Sequence, residues 1–526
     1  MVNIDEAHPA LWVAGVLVLC GALFHVSQQA RNLPNGPFSL PLVGTLALFR
    51  ERKMFHIRLR DWAYQYGDFF HFKIGRSPVF VLSSPKAIND LLIKQGSVYS
   101  SRPRLSNQAS LITQNSRIVA LPYDDQWRKQ RKLYHDLLGM QNSKIFMPFQ
   151  GFESRQSLLN LLDHPGDFWK EVTRYSASVT FGMLLRCRFE SSEAMIPRKL
   201  QARMGLMFKN ISPGRWLVDW IPILDRLPDA LAPWRRKAIQ LREQIMPFFA
   251  VFYHRIKEQV ERGEAPECFL ASILQEKGAN LRPEEPPHII ATTMAAGTDT
   301  TATTLQHFVK AAVLYPDVMR EAQREIDSVV GRDRLPNWED RSSLLYIAAM
   351  ITETHRWASA VPIAFPHATS RQDKYRDSII PSGATVIGNV YAIHNDPKVF
   401  LKPDEFMPER YLPKTDPRAA PDAAHMDSHY SYGFGRRECP GRHVADASLF
   451  IVISRMLWAF DFVGNPEKPP GPGHSGGPVY GPARFEATAR PRDGNVAPLI
   501  RAEAEANRPE GVEDSAVYEK LVAGMP

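Results

Sequence analysis

Apolar and polar positions follow several distinct patterns along this chain. From Pro9 to Ser27 there is no Asp, Glu, Lys or Arg. The run ALWVAGVLVLCGALFHV, from Ala10, is just long enough for a thin bilayer, which needs roughly 18 residues. Residues 70–82 (FHFKIGRSPVFVL) place two β-rich runs around Gly75–Pro78 and predict a hairpin. Residues 84–96 read as a helix opened by Ser84 and Pro85. Much of 124–330 carries a helical period. Residues 288–314 predict one long apolar helix, entered by Pro286 and Pro287. Short strands are expected over 375–393, around the Pro381–Gly383 turn. A Pro- and Asp-rich loop follows over 396–430, then a last apolar helix over 442–460 and a Pro/Gly-rich stretch over 465–480. No repeat of 20–50 residues is visible, which argues against solenoids and propellers. The predicted class is mainly α with a minor β part.

Charge around the first apolar run gives it a direction. Asp5 and Glu6 precede it, and Arg31, Arg50, Arg52 and Lys53 follow. The positive-inside rule then leaves the bulk of the chain in the cytosol. A cleaved signal peptide is the competing reading, weakened by the acidic start and by the lack of a clear small-x-small cleavage site. The expected organisation is a lumenal stretch 1–9, a transmembrane anchor 10–27, a Pro-rich hinge 28–41, a body 42–501 and an exposed charged tail 502–526. Residues 213–237 (PGRWLVDWIPILDRLPDALAPWRRK) mix aromatic residues, prolines and a basic end. They read either as a buried connection or as a second contact with the bilayer surface.

Composition narrows the classes further. The chain has 526 residues, 44% hydrophobic and 23% charged, which excludes wholesale disorder and a multi-span membrane protein. A net charge of +8 is mild at this length. It suits an acidic partner or an anionic membrane surface, and no nucleic-acid-binding motif accompanies it. The four cysteines are Cys20, Cys187, Cys268 and Cys439. So few and so scattered, they form no disulfide framework and point to a reducing compartment.

One cysteine sits in a chemically suggestive setting. Residues 432–441 read YGFGRRECPG. Gly433 and Gly435 permit tight turning and close approach to something flat. Arg436 and Arg437 bring positive charge, and a helix begins just after Cys439. A cysteine so placed is favoured as thiolate, a metal ligand that backbone N–H donors can tune. The stretch resembles the heme-binding signature of the cytochrome P-450 family, Phe-x-x-Gly-x-Arg-x-Cys-x-Gly. Gly435, Arg437, Cys439 and Gly441 match it, and Tyr432 replaces the usual Phe. Further landmarks follow the family's order: WRKQR at 127–131, AGTDTT at 296–301, ETHR at 353–356 and FMPERYL at 406–412. The resemblance covers roughly residues 32 to 500.

What this resemblance implies is specific. The body would be one mostly helical cytochrome P-450 domain with a small β region, behind a single N-terminal membrane-anchor helix. It would hold heme b (iron protoporphyrin IX) with Cys439 as axial ligand. Trp127, Arg131, His367 and Arg437 would meet the heme propionates, which physically require cationic partners. Tyr432 would cover the cysteine side. Glu353, Arg356 and Arg410 would form a buried structural network. Glu-x-x-Arg is weak evidence alone, since it recurs at Glu171–Arg174, Glu321–Arg324 and Glu505–Arg508, where surface ion pairs are expected.

The helix around AGTDTT carries seven threonines between Thr292 and Thr304. Most can simply bond back to carbonyls. Ala296 and Gly297 would admit a flat cofactor and O₂, while Thr300 and Asp299 would hold water and deliver protons. The resemblance thus implies a monooxygenase supplied with electrons from NADPH through cytochrome P-450 reductase at the endoplasmic reticulum. Lys129, Lys132, Arg436 and Arg442 would face that acidic partner. The expected pocket lining (Leu111, Ile112, and Ala360 to Phe365, with Val361 and Ile363) is apolar and implies a lipophilic substrate. The stretch PHATSRQDKYRDSIIPSGATVIGNVYAIHNDP is similar to fungal members of natural-product pathways. A xenobiotic or lipid hydroxylase is the alternative of the same chemistry. A non-catalytic heme-binding membrane protein is a third reading, disfavoured by the Asp299–Thr300 pair.

Overall fold

Two compact units form, one from the chain up to Pro103 with Phe365–Ala392, the other from Arg104–Ala364 with Ile393–Pro526. The computed structural model describes residues 33–525 apart from 41–42, 46–47, 49–53, 104–106, 212–215, 217, 219–221, 277–279, 421–427, 475–478 and 506–507. The expected lumenal stretch, anchor and first part of the hinge therefore lie outside the described residues, as does part of 213–237. Among the described residues no helix is long and apolar enough to cross a membrane.

The first unit opens with helix α1 (Phe55–Tyr66), followed by β1 (Phe69–Ile74) and β2 (Ser77–Leu82). These strands form the predicted hairpin, and Gly75 takes a positive φ of 56° at its turn. Strands β3 (His367–Ala368) and β4 (Thr385–Gly388) complete a sheet of order β1-β2-β4-β3, with β2 and β4 parallel. Phe70, Phe72 and Phe80 are fully buried. Within the expected hinge, Pro34 and Asn35 are bonded to β1. His71 takes the Asn35 carbonyl on its backbone N–H at 3.1 Å and the Pro34 carbonyl on its ring at 2.6 Å. The helix expected over 84–96 starts with Ser84 accepting the Ala87 N–H, then widens into a π-helical stretch over Asn89–Lys94.

Among the helices of the second unit are α2 (Asp125–Leu138), α3 (Phe168–Leu185), α4 (Pro233–Arg262), α5 (Glu285–Leu314), α6 (Leu345–Trp357) and α7 (Arg442–Ala459). Asp124 caps α2 by accepting the Trp127 N–H. Prolines sit in the first turn of α4 and α5, where their missing N–H costs nothing. One core gathers Leu305, Phe308, Met350 and Trp458; a second gathers Phe181, Phe248, Phe252, Ile290 and Met294. Helix α7 is buried all round between Ser448 and Ala459, a stretch that is apolar except for Ser448, Ser454 and Arg455. Residues 222–231 form two short 3₁₀ turns leading into α4.

The tail departs from expectation. Rather than standing exposed, Glu513–Asp514 pairs in parallel with Cys187–Arg188, and helix Ser515–Val522 buries Tyr518 and Val522. Those two apolar side chains lie four residues apart on one helix face, and Arg255 pairs with Glu513 at 2.8 Å. High overall charge had masked this short amphipathic turn.

Candidate functional site

The cysteine loop is shaped by its glycines. Gly433 and Gly435 both take positive φ, 76° and 57°, and Gly435–Arg437 makes one 3₁₀ turn. That turn lets the Cys439 N–H reach the Tyr432 carbonyl at 2.8 Å. Cys187 and Cys268 are buried, whereas Cys439 keeps part of its surface open. Burial raises the Cys439 thiol pKa; the Gly441 N–H on the sulfur and the Arg131 guanidinium oppose that shift. A half-open thiol with an amide donor and a guanidinium beside it suits an axial iron ligand held as thiolate.

Around it lies a layer of cations and aromatic rings. Arg437 stacks over the Trp127 ring at 4.5 Å and donates to the carbonyls of Leu121 (2.7 Å) and Ile118 (3.2 Å). Arg131 donates to the Glu438 carbonyl at 2.6 Å. Burial lowers the Arg131 pKa, a cost that an incoming carboxylate would offset. Trp127, Arg131, Arg437 and Cys439 are thus brought together. His367 belongs to the first unit, where its ring meets the Tyr99 carbonyl at 2.7 Å. Of the basic positions, Lys129 and Lys132 are exposed, Arg436 lies over Tyr123 and Arg442 pairs with Glu438.

The expected carboxylate–arginine network is present in full. Glu353 pairs with Arg356 at 2.7 Å and with Arg410 at 3.4 Å, and all three side chains are fully buried. Glu353 also accepts the Met407 N–H at 2.9 Å. Arg356 spends its remaining donors on the carbonyls of His394, Pro403 and Glu405. These contacts pin the chain that leads into the cysteine loop. Of the other Glu-x-x-Arg pairs, Glu321–Arg324 is a surface pair, but Glu171–Arg174 is buried and joined by Glu153 at 2.6 Å. Tertiary packing, invisible in the spacing, separates these two cases.

On α5 the buried surface is interrupted in the middle. Ala296 is exposed, and Gly297, Asp299, Thr300 and Thr301 are partly open, between well-buried flanking turns. The Thr300 hydroxyl donates back to the Ala296 carbonyl at 2.6 Å. Burial alone raises the Asp299 pKa. Gly297 meets another helix: a Cβ there would come within 2.6 Å of Thr180 Oγ1. Ser176 on the same α3 donates to the carbonyls of Thr298 (2.6 Å) and Gly297 (3.1 Å). The small residue therefore admits α3, and the open strip falls on its neighbours. An open strip of small residues and a half-open thiol suit a flat, largely apolar cofactor with peripheral carboxylates.

Several participants carried no sequence signal. Asp446 and His355 hold the Tyr432 hydroxyl, Ser176 braces α5, and Arg117 lies beside Thr292. Ile112, expected to line the pocket, is instead buried in the second core, while Val361 and Ile363 are partly open.

Comparison with known proteins agrees with this geometry. A profile of the Cytochrome P450 family matches residues 34–484. The chain is 38% identical over 461 residues to cytochrome P450 monooxygenase polD of Polytolypa hystricis, covering 85% of this chain and 87% of that relative. It is 35% identical over 523 residues to cytochrome P450 monooxygenase virE of Hypocrea virens, covering 94% and 93%. It is 32% identical over 479 residues to cytochrome P450 monooxygenase verL of Clonostachys rogersoniana, covering 88% of each. The chain belongs to the cytochrome P450 family. Its class is heme-thiolate monooxygenase on a mainly helical domain with small sheets.

Proposed function

We propose that Cys439 supplies the axial thiolate to heme b, and that the protein oxidises a lipophilic small molecule in fungal secondary metabolism. One observation carries the first part: among the described cysteines only Cys439 keeps open surface, with the Gly441 N–H on its sulfur and Arg131 beside it. The fungal sources of its relatives support the second.

In this reading Trp127, Arg131 and Arg437 would meet the heme carboxylates. When bound, the heme–thiolate supplies reductive activation of O₂. Glu353, Arg356 and Arg410 keep the cysteine loop in register. Ala296, exposed on α5, would leave room for the cofactor. Thr300 turns its hydroxyl from the Ala296 carbonyl to a water, and Asp299, whose carboxyl holds its proton above the ordinary range, passes protons inward. Apolar side chains such as Val361 and Ile363 exclude bulk water.

Electrons come from NADPH through cytochrome P-450 reductase, which docks on the basic side chains Lys129, Lys132, Arg436 and Arg442. The uncharged run Pro9–Ser27 anchors the chain once in the endoplasmic reticulum membrane, with the catalytic domain in the cytosol. The test is turnover of a panel of lipophilic compounds with NADPH, reductase and isotopically labelled dioxygen. Products should carry one labelled oxygen atom. Turnover that leaves every product unlabelled contradicts the reading.

A further inference from the structure

Buried guanidinium groups in the second unit show how this chain satisfies such a charge. Arg174 and Arg356 each have carboxylates at hydrogen-bond distance. Arg455 lacks one but donates to two carbonyls and a hydroxyl, those of Pro336, Gly151 and Ser154. Arg117 differs. It is only 4% exposed, and its side-chain partners are the Thr292 hydroxyl at 3.1 Å and the Met207 thioether, a weak acceptor, at 2.6 Å. No carboxylate among the described residues pairs with it. Nearby Glu285 is engaged by Gln126, Gln130 and Arg282. Burial lowers the Arg117 pKa to about 10, as it does that of Arg455, so what sets Arg117 apart is its partners.

A second group beside it is also unsatisfied. His288 is fully buried, and its Nδ1 has no partner in the structure. Its Nε2 lies 3.4 Å from Gln114 Oε1. His288, Thr292, Ala296 and Thr300 succeed one another at four-residue steps along α5 and so share one face. Thr292 itself is partly open. The buried cation thus stands at the head of the strip whose centre carries Ala296 and Thr300. Thr292 and Thr300 are eight residues apart, roughly 12 Å along the helix axis.

We infer that Arg117 is a carboxylate anchor, and that the substrate is a lipophilic acid oxidised at a carbon remote from its acid group. This rests on the monooxygenase reading above and narrows its substrate class. The helix spacing sets the separation between acid group and oxidised carbon. A planar guanidinium fork suits the recognition of two carboxylate oxygens. The neighbouring Met207 and the half-open Leu111 and Ile118 suit an apolar chain or ring system.

The test uses dodecanoate and its methyl ester as probes on the full chain. Affinities are measured by equilibrium dialysis, which needs no heme, and by the Soret shift in heme-loaded protein. Wild type should bind the acid at least about tenfold more tightly than the ester. Arg117→Leu should abolish that preference while leaving ester affinity within about twofold, and Arg117→Lys should keep part of it. Equal affinity of wild type for acid and ester overturns the inference, as does an acid preference that survives in Arg117→Leu. The wild-type comparison decides alone if the leucine variant does not fold. A thiolate-type carbon-monoxide band recorded on the same samples separates the two failures. An intact band without acid preference removes only the anchor. Acid preference without the band removes the monooxygenase reading and leaves the anchor standing.

Discussion

The Tyr432 hydroxyl donates to Asp446 Oδ1 at 2.7 Å and lies 3.2 Å from His355 Nε2. Tyr432 stands where the family signature has phenylalanine, so the extra oxygen needs a partner. Asp446 supplies it from α7, and His355 adds a contact from α6. The departure from the signature is therefore compensated, and it ties the cysteine loop to two helices. Replacing Tyr432 by Phe should leave Asp446 short of a donor and cost about 1–3 kcal/mol in urea unfolding. In a double-mutant cycle with Asp446→Asn the two losses should couple; strict additivity would show that the contact contributes nothing.

Glu353 is the carboxylate shared by two fully buried arginines, Arg356 and Arg410. Glu353→Gln keeps the shape and removes the charge. It should cost about 3–5 kcal/mol, because buried cations lose their counter-charge. Glu321→Gln, at the exposed pair with Arg324, should change stability by less than about 1 kcal/mol. Similar losses in the two variants would refute the distinction.

Buried histidines contribute to the acid limit of the fold, His394 and His307 among them. Burial depresses both His394 and His307 to about 3, with help from Arg356 and His355 around the first and from Lys310 and His474 around the second. Unfolded histidine titrates near 6.5, so the unfolded chain binds these protons first. Their contribution to stability is complete above about 6.5 and is lost as pH falls from there toward 3. Each group adds at most about 1.4 kcal/mol per pH unit to that slope. The urea midpoint should fall between pH 6.5 and 5, and His307→Asn should flatten the decline. A midpoint independent of pH there would rule this out.

Proton delivery gives a pH signature of the opposite kind. Burial raises the Asp299 pKa, so its acid form persists above the ordinary carboxylate range. Reductase-driven oxygen consumption should decline as pH rises through that raised value, because the donor loses its proton. Asp299→Asn should remove this limb and slow consumption by about 10²-fold. Thr300→Ala should lower product formed per oxygen consumed. Unchanged coupling in that variant would remove Thr300 from the pathway.

Much of this architecture could be read from local pattern. The 70–82 hairpin rests on alternation and turn chemistry, and the long helix on an apolar run behind two prolines. The cysteine loop rests on a dense motif, whereas Glu353–Arg356 is legible only from its place between the AGTDTT helix and FMPERYL, since its spacing recurs elsewhere. What escaped was tertiary. Tyr518 and Val522 are an unremarkable apolar pair in a charged tail until α4 and the Cys187–Arg188 strand give them something to cover. Gly297 looked like room for a cofactor, and only the placement of Thr180 shows that it also admits a helix. The short helix Val390–His394 is announced only by Asn389, whose Oδ1 accepts the Ala392 N–H at 3.4 Å. Arg117 has no motif at all, and its interest arises only because folding buries it without a carboxylate.

The central claim is that Cys439 is the iron ligand, and its most direct test is the carbon-monoxide difference spectrum of dithionite-reduced membranes carrying the protein or its Cys439→Ser variant. The wild type should show the red-shifted Soret band of a thiolate-ligated heme, and the variant should lose it. A wild-type sample that binds heme without that band, or a variant that keeps it, would contradict the assignment.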